Sequence, residues 1–341
     1  MPPSPKPVSK TYSRARPLRV QQRPAPKPRL NAAMACDTAF RIIARRYVDA
    51  LSSNQEATCN GDPLALHQMR VALTHLRTAI VFFSPMVDDA VRNEIRDELR
   101  WLNGELGAVR DLDVAFERLE QFDKKQPEAF QAIGAWNEKR AEGHRNLART
   151  LRSVRYQWLI EQVSDWIENG PWSTSKGKQA AARRATPIGL FTAGKLAQWE
   201  QKLLKRSRGL GRMGTKKRHR IRLLNKKLTY SIDSLEDLFS DKNFSKHKAA
   251  LKPLRKAQRS LGQLNDGATG EALATELRRG GVQTPLQFLG PRQKKLVEEG
   301  LESLSRAEQN QIRAFDPDQI SPRKPAIVCL PPILVSNSRS L

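Results

Sequence analysis

The chain is short of acid. Among its 341 residues, 35 are Asp or Glu against 60 Lys or Arg, which gives a formal net charge of +25 and an isoelectric point near 10.5. Self-repulsion on that scale opposes the compact state, so the excess points to a polyanionic partner: nucleic acid, inorganic polyphosphate or an anionic lipid surface. Cysteine is scarce as well. Cys36, Cys59 and Cys329 lie scattered without C-x-x-C spacing, which argues against a disulfide framework and a thiolate zinc site and fits a reducing cytoplasm. No apolar run approaches the roughly eighteen residues of a membrane helix, and no apolar h-region follows the start, so neither a span nor a secretory signal is expected. Aromatics are only 6%, leaving few platforms on which nucleobases could stack.

Acid is missing altogether from two stretches. Residues 1–30 hold eight Lys/Arg and eight prolines, a composition that cannot build a core and predicts a disordered basic arm. Residues 201–230 hold twelve Lys/Arg. From Asp316 onward the chain is proline-rich again. The expected organisation is an arm (1–30), a helical domain (31–312) and a tail (313–341). The domain divides into 31–169 and 190–312 around a linker at 170–189, which Gly, Pro and Ser mark.

What the chain has is helical periodicity. FRIIARRYVDAL, VRNEIRDELRWLNGEL, NLARTLRSVRYQWLIEQVSDWI, YSIDSLEDLF and QKKLVEEGLESL place apolar residues three and four apart, and no alternating strand pattern competes. The fold class is all-α, with Trp101, Trp136, Trp158, Trp166 and Trp199 expected in its core. In HQMRVALTHLR (67–77), His67, Arg70 and Arg77 fall within about 80° on a helix surface. Met69, Leu73, Leu76, Ile80 and Phe83 fill the adjoining sector. A solubilising face mixes charge signs; this one carries nitrogen donors alone.

The pattern recurs. With His67 placed on His219, HQMRVALTHLRTAIVFF lies on HRIRLLNKKLTYSIDSL: Arg70 meets Arg222, and four of five core positions repeat as apolar residues. Asn225, on Leu73, is the exception. His219, Arg222 and Lys226 restate the basic sector. LGAVRDLD (106–113) then matches LGQLND (261–266), placing Arg110 on Asn265 and Asp111 on Asp266, 43 and 46 residues beyond the histidines. Two motifs in one order at nearly one distance indicate a tandem duplication of a helical unit. The basic stripes cannot be buried without counter-charge, so they must face water or an anion.

These motifs, H-x-x-R-V-x-L-x-x-L-R with L-G-x-x-R-D-L-D-V and H-x-x-R-x-x-x-K-K-L-x-Y with L-G-x-L-N-D, resemble the CHAD family, the conserved histidine α-helical domain, over roughly residues 31–312. The resemblance implies two pseudo-symmetric antiparallel four-helix bundles around a central basic cavity, binding of inorganic polyphosphate, association with polyphosphate granules in the cytoplasm, and no enzyme activity. Carried over residue by residue, it implies His67, Arg70, Arg77 and Arg110 as ligand donors in the first unit and His219, Arg222, Lys226 and Lys227 in the second. Thr74, His75 and Thr229 depart from commonly basic positions and thin the expected charge. No E-x-E-x-K motif of the neighbouring triphosphate-tunnel domain occurs, so a stand-alone member is expected.

Other features are weaker. Lys205, Arg206 and Arg208, in the second acid-free stretch, are further candidate donors. Arg145, Arg149 and Arg152 share a helical face, but Glu138 and Glu142 nearby make plain solvation as good a reading. Asp111 and Asp113 are expected to cap a helix or orient Arg110. GLGRMG (209–214) lacks the Lys-Ser/Thr ending of a phosphate loop and is a helix break, and His67 with His75 lacks metal spacing, so no metal or cofactor is expected. Nucleic-acid binding is the competing reading, without a helix-turn-helix, finger or RRM signature behind it. Phosphoanhydride hydrolysis lacks a metal-ligand cluster and a base–nucleophile pair.

Overall fold

The computed structural model describes residues 29–123, 130–239, 241–279 and 292–309. The expected arm, apart from Arg29 and Leu30, and the tail 313–341 lie outside the described residues. Helix α1 (Cys36–Cys59) ends at Gly61, whose φ of +85° turns the chain at little cost to a residue without Cβ. Asp62 then starts α2 (Pro63–Phe82): its Oδ1 accepts from the backbone N–H groups of Leu64 and Ala65 at 2.8 and 3.3 Å, and Pro63 sits where a helix needs no N–H. There follow α3 (Val91–Asp123), α4 (Phe130–Leu151), α5 (Val154–Asn169) and two short helices, α6 (Pro171–Thr174) and α7 (Lys178–Ala185). The chain continues through α8 (Ile188–Ser207), a 3₁₀ turn at Leu210–Arg212, α9 (Thr215–Ser234), α10 (Asp241–Arg279) and α11 (Arg292–Gln309).

The described residues are all-helical apart from turns and one isolated antiparallel bridge between Ala35 and Pro187. No helix among them is long and apolar enough to cross a membrane. GLGRMG breaks the helix as expected: Gly209 takes φ +78° and the 3₁₀ turn follows.

The apolar stripe of α2 is buried as its spacing predicts, with Met69, Leu73, Leu76, Ile80 and Phe83 all in the core. In α9 the equivalents Ile221, Leu228, Ile232 and Leu235 are buried too. Asn225 is fully buried among them, and its Nδ2 donates to the Leu254 carbonyl of α10 at 2.9 Å, which offsets part of the desolvation of a core amide, while Oδ1 has no hydrogen-bond partner among the described residues. Helices α1 to α5 pack mainly on one another, as do α8 to α11; the two groups meet through α2 against α9 and α3 against α10. One continuous hydrophobic core runs through both.

The expected linker 170–189 is more built than its composition suggests. Trp172 is buried, packs edge-on to Phe40 at 5.4 Å, and donates its indole N–H to the Trp166 carbonyl. Asp89 fastens the corner, accepting from the Trp166 indole at 3.0 Å and from the Trp172 backbone N–H at 3.1 Å. Trp158 corrects the expectation for the tryptophans. It is 47% exposed, because the buried face of α5 is set by Tyr156, Leu159, Val163 and Trp166, and position 158 lies off that face.

Candidate functional site

Beside their core stripes, α2 and α9 each carry a polar stripe, and the packing of α2 on α9 and α3 on α10 turns these toward a shared cavity of about 720 Å³. Helix α2 supplies Arg70 and Arg77, and α9 supplies His219, Arg222, Lys226 and Lys227. Arg96 and Arg100 enter from α3, so eight basic side chains face two carboxylates, Asp111 of α3 and Asp266 of α10. Arg100 is partly offset by Asp97 at 2.8 Å. No Phe, Tyr or Trp among the described residues lines the cavity.

The cations are crowded enough to perturb one another. Burial, then Arg222 and Arg70, push the Lys226 ammonium down to about 8. Burial and the neighbouring Lys202 and Arg77 lower Lys227 as well. In the other direction, burial raises Asp111 despite the opposing charges of Arg70 and Arg222, and the like charge of Asp266 adds to the rise. Arg70 Nη1 and Arg222 Nε are buried and have no hydrogen-bond partner among the described residues. Guanidinium donors held in this way suit an anion with several acceptor oxygens.

Gly107 explains part of the L-G-x-x-R-D motif. A Cβ at that position would stand 3.0 Å from Arg70 Nη1, so the glycine lets α3 pass close beneath the guanidinium. His219 Nδ1 lies 3.0 Å from Asn265 Oδ1, which joins the histidine of one motif to the second motif of its unit. Thr229, expected as a departure from the basic pattern, is buried and hydrogen-bonds Gln258 of α10 at 2.6 Å.

The structure therefore brings together Arg70, Arg77, His219, Arg222, Lys226 and Lys227. His67 and Arg110 stand beside the cavity and do not line it. Burial lowers the His67 imidazole, and the charges of Arg110, Arg70 and Lys226 act on it in the same direction. Lys205, Arg206 and Arg208 are exposed and do not line the cavity, because Leu203 and Ser207 take the inward face of α8 and turn them outward. Asp111 and Asp113 lie inside α3, away from its ends. Asp113 is 1% exposed; it accepts from Arg140 Nε at 2.7 Å and lies 2.8 Å from His144 Nε2, and Arg110 is 3.9 Å away. The shortest ion pair of Arg110 is with Glu117, at 3.0 Å.

Sequence reasoning missed Arg96 and Arg100. The available signal was the row Arg96, Arg100, Asn103, Gly107 and Asp111, spaced three or four apart and ending in the recognised motif.

The depressed Lys226 gives a pH prediction. A polyanion in the cavity favours the charged ammonium, so binding at about pH 8 should take up a substantial fraction of a proton. His67, whose imidazole is also lowered, adds uptake at lower pH. Calorimetry in buffers of different ionisation enthalpy reads this directly, and Lys226→Gln should reduce the component near pH 8.

The CHAD domain family model matches residues 42–275, more than half of the chain, and the chain belongs to that family. Among solved structures, it is similar to the crystal structure of the CHAD domain from the plant Ricinus communis, with 25% identity and a TM-score of 0.63 over 88% of this chain and 97% of that one. It also shares a fold with PptA from Streptomyces chartreusis, at 14% identity and a TM-score of 0.55, covering 83% of this chain and all of the other. Comparison with curated proteins gives no match.

Proposed function

We propose that this chain binds inorganic polyphosphate in the cavity between α2, α3, α9 and α10, without catalytic turnover, and that it does so on cytoplasmic polyphosphate granules. In this reading the two helix groups are the duplicated units of the sequence, set about a pseudo-twofold axis so that their basic stripes share one groove. The observation that carries it is the cavity lining: basic residues from both copies of the H-x-x-R motif converge on one space. Membership of the CHAD family supports the same ligand.

The chemistry is consistent. A flexible chain with about one charge per unit needs many fixed cations in place of one exact pocket, and helices hold such cations at set spacing. The absence of Phe, Tyr and Trp from the lining favours a bare phosphate chain over a nucleobase-bearing one. Among the described residues no three His, Cys, Asp or Glu side chains gather as a metal site would require.

Competition between polyphosphate and RNA or DNA of matched charge tests the ligand. Polyphosphate should displace either nucleic acid at much lower charge concentration; parity would overturn the reading. Phosphate release should stay at background with and without magnesium, and any turnover suppressed by Arg70→Glu would show an enzyme instead.

A further inference from the structure

A second basic concavity, of about 880 Å³, opens between α4 and the turn joining α1 to α2. Arg145 and Arg149 on one face of α4 and Arg152 just past its end are exposed there, spaced four and three apart, with Arg140 and His144 half-buried behind them. From Arg140 to Arg152 the row covers about 18 Å of helix. Its counter-charge is thin. Glu142 shares the lining, and Glu56 lies 3.8 Å from Arg152. Arg149 donates to Asn146 Oδ1 at 2.5 Å, and neither it nor Arg145 forms an ion pair with a described residue.

A line of close neighbours joins this concavity to the central cavity. Arg140 and His144 hold the buried Asp113 carboxylate, which also lies near Arg110. His67 lies one helical turn before the cavity-lining Arg70 on the same side of α2, where the charges of Arg110, Arg70 and Lys226 reach it. His67 and Arg110 therefore occupy the ground between the two basic regions, which gives a place to two motif residues that the cavity leaves out.

We propose that a polyphosphate chain leaving the central cavity continues over His67 and Arg110 and lies along the Arg145, Arg149 and Arg152 face of α4. Long chains would then contact a second surface that short chains cannot reach. The inference rests on the polyphosphate reading of the cavity. The ligand class follows from the lining, which adds the amides of Asn60, Asn137 and Asn146 to the arginines and, among the described residues, offers no Phe, Tyr or Trp for a base to stack on. Because the second contact is intramolecular once the first is made, it raises affinity without a second ligand molecule.

The test uses the full chain, with tripolyphosphate and long-chain polyphosphate as probes. R145E/R149E should weaken long-chain binding about tenfold or more and reduce its salt slope by about two, while changing tripolyphosphate affinity less than twofold. Both side chains are exposed, so helicity should not change. The control is K178E/R183E on α7, beside the other end of α1, where Thr186 O accepts from Cys36 N, about 35 Å of helix away.

Unchanged long-chain affinity, an equal loss for both ligands, a second independent tripolyphosphate site, or an equal long-chain loss from the α7 control would each overturn the track. If R70E/R222E loses affinity and R145E/R149E does not, the track falls and the cavity stands. If R70E/R222E leaves both ligands unaffected, the cavity reading falls and takes the track with it.

Discussion

Charge reversal at Arg70 and Arg222 together should lower polyphosphate affinity by a factor of about 10³ or more and leave the helical fold in place. The two arginines occupy equivalent positions in the repeated motif and face the cavity from α2 and α9. Each carries a buried guanidinium nitrogen without a partner among the described residues, so each has donor capacity left for a ligand. Truncating one member of a desolvated charge pair costs about 2–5 kcal/mol, and reversal adds repulsion, so two such changes reach 10³ at the lower bound. The salt slope should fall by about two as two phosphate contacts are lost. The fold should survive because both side chains stand beside the buried Met69, Leu73 and Leu228 stripes and not within them. Circular dichroism and calorimetry measure the two halves of the statement. A loss below tenfold in a folded variant would remove the cavity as the ligand site.

The helices and their core faces were legible because burial imposes a period. Met69, Leu73, Leu76 and Ile80 recur at 3.6-residue spacing because one side of α2 must face the interior, and the same force acts on Ile221, Leu228 and Ile232. The donors on α2 and α9 were legible for a different reason: a one-sign stripe beside a core stripe, repeated in the chain, has no solvation explanation. Charge density by itself was a poor guide. Lys205, Arg206 and Arg208 lie in a stretch without acid, yet the inward turn of Leu203 and Ser207 decides where they point. Arg96 and Arg100 were hidden by the opposite composition. With Glu94, Asp97 and Glu98 around them they read as a mixed solvated surface, until the burial of Ile95, Leu99 and Leu102 fixes the rotation of α3. The Trp172 corner was illegible because its Gly, Pro and Ser surroundings signal a loop, while the energy lies in one aromatic side chain and the Asp89 carboxylate 83 residues earlier.

His75 supplies a measurement of stability that is independent of the ligand. It sits at the junction of α1, α2 and α9, stacked on Tyr47 with ring centroids 4.6 Å apart and tilted against Tyr230 at the same distance. Its Nδ1 lies 3.0 Å from Ser234 Oγ, which is itself 2.8 Å from the Tyr47 hydroxyl. Burial pushes the imidazole down to about 4, against the opposing pull of the Asp233 carboxylate and the Tyr230 backbone. The folded value is thus below the unfolded one of about 6.5, so the unfolded chain takes the proton first as pH falls. Stability conferred by neutral His75 is complete above about pH 6.5, declines as pH drops, and is gone below about 4, a loss of about 3 kcal/mol in all.

His75→Phe isolates that contribution. Phenylalanine keeps a ring between Tyr47 and Tyr230 and cannot titrate, and Ser234 retains both the Tyr47 hydroxyl and the Tyr230 carbonyl, to which it donates at 2.8 Å. At neutral pH the variant should lose only about 1 kcal/mol with the Ser234 contact. Between about pH 6.5 and 4 its urea-unfolding free energy should fall by about 3 kcal/mol less than that of the parent chain. Equal slopes in the two proteins would mean that His75 is not held neutral at this junction.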